Sequence, residues 1–434
     1  MITGGAVTRP LVAAVSITLA VQAVTSMAMV APSVLAPAVA PALGVAPQTI
    51  GLFVSAAYFA AMLSGLACGG LIVSLGVLRV CQLSVLLAGA GLVLGAGGWL
   101  IAMPVAALVI GAGYGLVNPS SSHILARATP PGMMALVFSI KQTGVPIGGM
   151  IAGAMVPALL LAIGWQPTVL ALALVTAAIA LPIEPARRDS ESGGAGGGAA
   201  GPSGTGTAAG DAPAREPVAG SLRRAVAGLG APIRLVLSER SMRELAAVSF
   251  SYATVQLGLF TYLVSFLNLE LGYTLVAAGL VFAVAQGAGV VGRIVWGALA
   301  DRVFGARPML GLLGVTMSAC GLATAVASAA WPIAVTVVVA ALFGASAVGW
   351  NGVYLAEVAR RAPVGAVGAA TGGTQFFTFL GALTGPPLFG AIASATGHYA
   401  WGYAAFSLLP LVMGAWLLLM RGETPEPVPA GRDA

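Results

Sequence analysis

Long apolar runs, separated by short breaks that carry glycine, proline or arginine, recur along almost the whole chain. A helix needs about 17–25 predominantly apolar residues to cross a bilayer. Twelve stretches are at least that long, at about 11–31, 48–72, 80–101, 104–126, 134–161, 166–183, 244–267, 275–299, 308–328, 332–356, 366–393 and 400–420. They predict an all-α membrane protein with twelve transmembrane helices, numbered below as spans 1 to 12. Span 1 has the look of a secretory leader, with Ala36-Pro37-Ala38 as a cleavage site. No exported soluble domain follows it, however, and it holds Gln22 and Thr25, so it reads as a true span.

The apolar pattern lapses once, over residues 184–243. Within that lapse Ser190 to Gly210 is almost entirely Gly, Ala, Ser, Thr and Pro, too little apolar surface to fold, and it is expected to be a disordered cytoplasmic linker. Leu222 to Glu244 alternates Arg with Leu and Val, which fits an interfacial amphipathic helix and a solvated basic linker equally well. The chain thus divides into a six-helix half at 1–183, the linker, a second six-helix half at 244–420, and a tail at 421–434.

Amides interrupt some spans and not others. Gln22, Asn118, Gln142, Gln256, Asn351 and Gln375 lie in spans 1, 4, 5, 7, 10 and 11, whereas spans 3, 6, 9 and 12 are comparatively bare and suited to lipid. Buried amides need partners, so in a membrane they face protein or a water-filled cavity. The spacing of Gly111, Asn118 and Arg127 repeats in Gly344, Asn351 and Arg360, and that of Gly132 and Gln142 in Gly365 and Gln375. A parallel six-plus-six repeat follows, and such repeats hold their substrate near the midplane between the halves.

Composition agrees: 59% hydrophobic residues, 7% charged residues and a mean hydropathy of +0.99. A soluble domain carries about 25% charged residues. The net charge of +6 could point to nucleic acid, but its placement points to a membrane. With both termini cytoplasmic, 17 of the 19 basic residues lie inside and none outside, as the positive-inside rule requires. Trp99, Trp165, Trp331 and Trp401 then fall at the outer ends as an interfacial belt. Cys68, Cys81 and Cys320 lack metal-type spacing and an even count, and read as small packing residues.

The two remaining basic residues are Lys141, the chain's one lysine, in span 5, and Arg293 in span 8. The first 183 residues contain no Asp or Glu, so nothing in its own half can neutralise Lys141. Unpaired intramembrane charge is costly and marks function. Glu357 and Glu270 fall near span ends and read as solvated, and His123, close to the inner surface, reads as a gate or interface residue.

Twelve spans in two similar halves joined by a long central loop resemble the major facilitator superfamily. The sharpest local match follows span 8, where Gly297, Asp301, Arg302, Gly305 and Arg307 resemble its cytoplasmic loop motif, with one extra residue before Gly305. The resemblance implies a gating latch in which Asp301 caps a neighbouring helix end and pairs with Arg302. After span 2 the counterparts are Val73 and Ser74, so no latch is expected there. Gly144, Pro146 and Gly149 in span 5, with Gly385 and Pro386 in span 11, resemble the glycine–proline motif of antiporters and read as hinge positions; a plain packing kink is the alternative. Gly292-Arg293 resembles the span 8 arginine of the superfamily's anion carriers. The lysine that oxalate:formate exchangers carry in span 11 is absent, and the cation sits in span 5 instead.

In the resembled fold, spans 5 and 8 face each other, so Lys141 and Arg293 are expected to share one anion site. Gln142, Asn118, Gln22, Gln256, Tyr252, Asn351 and Gln375 are expected around it as neutral hydrogen-bonding residues. The expected function is secondary transport of a small anion, with a mono- or dicarboxylate leading, by exchange or proton-coupled symport. Proton-driven efflux of a drug or metabolite is the alternative within transport, although no membrane carboxylate is there to titrate. A membrane enzyme or sensor on the same scaffold is the alternative outside it, but two histidines at opposite faces supply no catalytic cluster. No cofactor, metal or nucleic acid is expected. The partners are the anion, membrane lipid and protons as coupling ion, and the chain is expected to act as a monomer in a bacterial inner (plasma) membrane.

Overall fold

The computed structural model describes residues 8–130, 133–184, 230–363 and 366–420. The expected linker at 190–210, the tail at 421–434, Gly132 and Gly365 lie outside these residues. Among the described residues twelve helices are long and apolar enough to cross a membrane. They are Pro10–Ala42, Pro47–Leu75, Val77–Ala96, Ala102–Ala128, Leu136–Ile163, Trp165–Glu184, Arg240–Leu269, Leu275–Phe304, Ala306–Ala325, Ile333–Arg361, Val367–Thr396 and Tyr399–Leu419, spans 1 to 12 in order. Among the described residues there is no strand.

Boundaries fall within a few residues of the sequence expectation except in span 1. It continues through Pro32, Pro37 and Pro41 to Ala42. Prolines that would end a soluble helix are tolerated where neighbouring helices satisfy the freed backbone groups. Tight reversals come from glycines in the left-handed region, Gly76 (φ 85°) between spans 2 and 3 and Gly305 (φ 77°) between spans 8 and 9. A short helix, Gly230–Ser238, precedes span 7 and packs on span 11 with Val236 buried. Arg243 donates to the Leu237 and Ser238 carbonyls at 2.7 and 3.2 Å and closes that helix.

Packing repeats between the halves. Span 2 packs on span 4 as 8 does on 10, span 3 on 6 as 9 on 12, and span 1 on 5 as 7 on 11. Contact between the halves runs chiefly through spans 5 and 8, 2 and 11, and 1 and 7. Arg79, Arg127, Arg302, Arg307, Arg360 and Arg361 gather at one end of the bundle, the basic face, where odd spans begin and even spans end. Toward the opposite face the halves close tightly: Ser55 Oγ donates to Leu383 O at 2.7 Å, and Tyr262 OH reaches Gln48 O at 3.1 Å.

At the basic face the expected latch does not form. The residue inserted before Gly305 is absorbed as a π-helical turn, Ala300–Phe304, closed by Gly305 N–H to Ala300 O at 2.9 Å. That turn leaves Asp301 and Arg302 exposed, and among the described residues they form no ion pair. Arg307 instead pairs with Glu244 on span 7, which also accepts from Trp416 Nε1 at 2.9 Å. Arg361 joins Glu244 (3.7 Å) to Glu357 (2.5 Å), and Arg360 pairs with Glu357 as well. Glu357 is therefore not solvated but 2% exposed, the buried acid of a network tying spans 7, 9, 10 and 12. Glu270 is likewise half-buried, accepting from the backbone N–H of Tyr399 at the start of span 12.

Candidate functional site

Span 5 is one apolar run but two helices, Met134–Gln142 and Gly144–Ile163. Pro146 explains the break. It has no N–H to offer the carbonyl four residues back, so Gln142 O lacks its helical partner. Arg293 on span 8 fills the gap across the boundary between the halves: Nη1 donates to Gln142 O at 3.0 Å, and Nε to Val348 O at 3.2 Å. The seam between spans 2 and 11 uses the same device. Pro387 leaves Leu383 O unpartnered, and that is the carbonyl to which Ser55 donates.

Lys141 is 2% exposed and its ammonium donates to Asn118 Oδ1 on span 4. It does not extend to the surface. Cys81 and Arg293 lie within electrostatic reach of its charge. Both cations are thus hydrogen-bonded to neutral oxygens, and among the described residues neither meets a carboxylate. A hydrogen bond to an amide or carbonyl oxygen orients a cation without cancelling its charge, so the positive charge of this part of the seam stays uncompensated among the described residues.

Around the pair, Gln22 is buried against Gly144, where a Cβ would come within 2.8 Å of the glutamine stem. Its Nε2 donates to Ser26 Oγ at 3.4 Å while its Oε1 has no partner, and the side-chain Oε1 of Gln142 has none either. Asn118 is exposed, and Tyr114 on the same helix lies within electrostatic reach of Arg293. Tyr58 meets the Tyr114 ring edge to face at 6.1 Å. Ser26, Tyr58 and Tyr114 were not among the residues expected from sequence. Helical spacing could have found two of them, because Tyr114 precedes Asn118 by one turn and Ser26 follows Gln22 by one turn.

Several expected residues stand elsewhere. Tyr252 is buried and donates to Leu310 O on span 9 at 2.6 Å, on the side of span 7 away from the seam. Gln256 accepts from Trp350 Nε1 at 3.1 Å within the second half. Gln375 accepts from Thr378 at 3.2 Å, and Asn351 is half-buried on span 10. Among the hinge positions, Gly149 faces Gln286 of span 8, and a Cβ added at Gly385 would lie 3.1 Å from Thr254 Cα of span 7. The Pro386 carbonyl accepts from Tyr262 at 2.6 Å. Gly297 has open space around it. His123 is half-buried with an unpartnered Nδ1.

A cavity of about 500 Å³ opens toward the opposite face, lined by apolar residues such as Leu35, Phe53, Leu92, Ile110 and Trp165. All of its walls belong to the first half, and neither cation touches it. Among the described residues no three His, Cys, Asp or Glu side chains gather as metal ligands would.

Residues 18–382 match the family model described as Major Facilitator Superfamily. No curated protein sequence matches the chain. Among solved structures, a D-xylose-proton symporter superposes with a TM-score of 0.67 at 13% identity, covering 94% of this chain and 96% of that one. At that identity the likeness speaks for the fold alone.

Proposed function

This chain belongs to the Major Facilitator Superfamily, a secondary transporter and not an enzyme, and we propose that its cargo is a small anion, with mono- and dicarboxylates as the leading class. One observation carries the reading: Lys141 and Arg293 approach each other on facing spans, and among the described residues no acid neutralises either. Gln142, Asn118, Gln22, Tyr114 and Tyr58 supply neutral hydrogen bonds around them. Asn351 and Gln375 on the other wall contribute once the seam opens, whereas Gln256 would first have to give up Trp350. Both seams hinge at Gly144–Pro146 and Gly385–Pro386, and the ion-pair network of Arg307, Glu244, Arg361 and Glu357 gates the basic face, which is cytoplasmic.

Charge supplies the coupling. Two unit charges about 8 Å apart repel by about 2 kcal/mol at an effective dielectric of about 20. An anion between them turns that repulsion into attraction, so loaded carriers reorient faster than empty ones. The resulting cycle is anion exchange or proton-coupled symport by alternating access across a bacterial plasma membrane.

The second reading, efflux of a lipophilic compound, draws on the apolar cavity of about 500 Å³. Alternating access needs the cargo between the halves, and that cavity lies within one of them. Proteoliposome flux separates the two. Lys141→Gln and Arg293→Gln should each bind a carboxylate about 10–100-fold more weakly while inserting normally, from the loss of one charge-assisted hydrogen bond. Lys141→Arg should keep part of the activity. Wild-type carboxylate flux in both neutral variants would leave the cations as anchors and end the anion reading.

A further inference from the structure

Gln286 on span 8 is 1% exposed, and neither atom of its amide has a hydrogen-bond partner. It faces the first half across the same seam as Arg293. A Cβ added at Gly149 of span 5 would lie 2.7 Å from its Cδ and 3.1 Å from its Cγ, so the glycine alone gives the amide room to lie flat on span 5. The register is regular. Arg293 reaches Gln142, and Gln286, two turns back on the same face of span 8, reaches Gly149, two turns on along span 5. The arginine found a carbonyl freed by Pro146. No proline stands four residues beyond Gly149, so that carbonyl stays in its own helix and the amide is left without acceptor or donor.

We propose that Gln286 is a specificity-determining residue that reads an uncharged hydroxyl on the transported anion, making the cargo a hydroxycarboxylate. This rests on the anion reading above. The carboxylate sits at Lys141 and Arg293, and the hydroxyl sits further along the seam. The amide chooses the group: it has N–H donors and an oxygen acceptor, all unpartnered, and a hydroxyl is the smallest group that gives and accepts at once. A keto oxygen or a plain methyl would leave the Gln286 oxygen orphaned. A site built to hydrogen-bond a hydroxyl discriminates strongly against the analogue that lacks it.

The test uses full-length protein in nanodiscs and three pairs of acids that differ by one hydroxyl: glycolate and acetate, lactate and propionate, malate and succinate. In at least one pair the wild type should bind the hydroxy acid about tenfold or more tighter. Gln286→Met, close in shape and apolar, should bring that ratio near one while affinity for the deoxy acid holds. The melting temperature of the empty variant should not fall, because no hydrogen bond is removed. A wild type indifferent to the hydroxyl in every pair overturns the proposal without any variant, and so does a Gln286→Met that keeps the ratio. Lys141→Gln separates this from the parent reading. If it loses both members of a pair, the anion site stands whatever Gln286 does; if the wild type binds no acid at all, both readings fall.

Discussion

Arg293 spends two of its five N–H donors on carbonyl oxygens, and among the described residues its charge meets no carboxylate. The carbonyl it holds was released by a proline, so under the proposed anion reading that carbonyl and an arriving anion compete for the guanidinium. Pro146→Ala returns an N–H to Gln142 O and weakens the hold of that carbonyl on Arg293. A net hydrogen bond is worth about 1 kcal/mol, so anion affinity should rise by up to about fivefold. Equilibrium binding to the purified variant checks this, and an unchanged affinity would mean that the carbonyl does not compete. From the sequence Pro146 could be read as a kink. Which side chain would answer the freed carbonyl depended on the register of span 8 against span 5, which no local pattern encodes.

Glycines set how closely helices approach. A Cβ at Gly111 would strike the Ala57 carbonyl of span 2, and one at Gly344 would strike the Ala285 carbonyl of span 8. These are the two glycines whose equal spacing to Asn118 and Asn351 marks the internal repeat, so the repeat in sequence is a repeat in packing. Gly344→Val should cost about 1–3 kcal/mol through overpacking against backbone that cannot yield. A lowered melting temperature in detergent would report it. Unchanged melting would mean that spans 8 and 10 can separate freely. The loop after span 8 carries the opposite lesson. Its motif was legible, but the extra residue was absorbed as a π turn that points Asp301 outward, and Glu244 and Glu357 took over the arginines.

Across the whole molecule the two halves match in helix order and packing but not in charge. Thr374 stands where the repeat of the first half has Lys141, and it spends its hydroxyl on Ala370 O at 2.9 Å. Gly65, as far beyond Ala57 as Arg293 is beyond Ala285, stands where the second half has its arginine. Among the described residues only the seam of spans 5 and 8 is therefore cationic, and cargo should bind off the pseudo-twofold axis. Orientation can be tested with impermeant thiol reagents on intact cells, since Cys68, Cys81 and Cys320 are buried and give little background. Ser192→Cys should stay unlabelled and His398→Cys should label. The reverse would put the basic face outside.

Span count, helix boundaries and the six-plus-six repeat were set by the sequence itself, because crossing a bilayer imposes length, apolarity and saturated backbone on each segment separately. The same holds for the lack of an acid from its own half to pair Lys141, since residues 1–183 contain no Asp or Glu. The tertiary structure alone decided which polar side chains reach the seam. Tyr252 and Gln256 turned inward to their own half, and Gln286, no different in sequence from any other mid-span glutamine, came to lie unpartnered beside Gly149. A helix of 3.6 residues per turn points each side chain in a direction the sequence records, but the neighbour in that direction is fixed only when the helices pack.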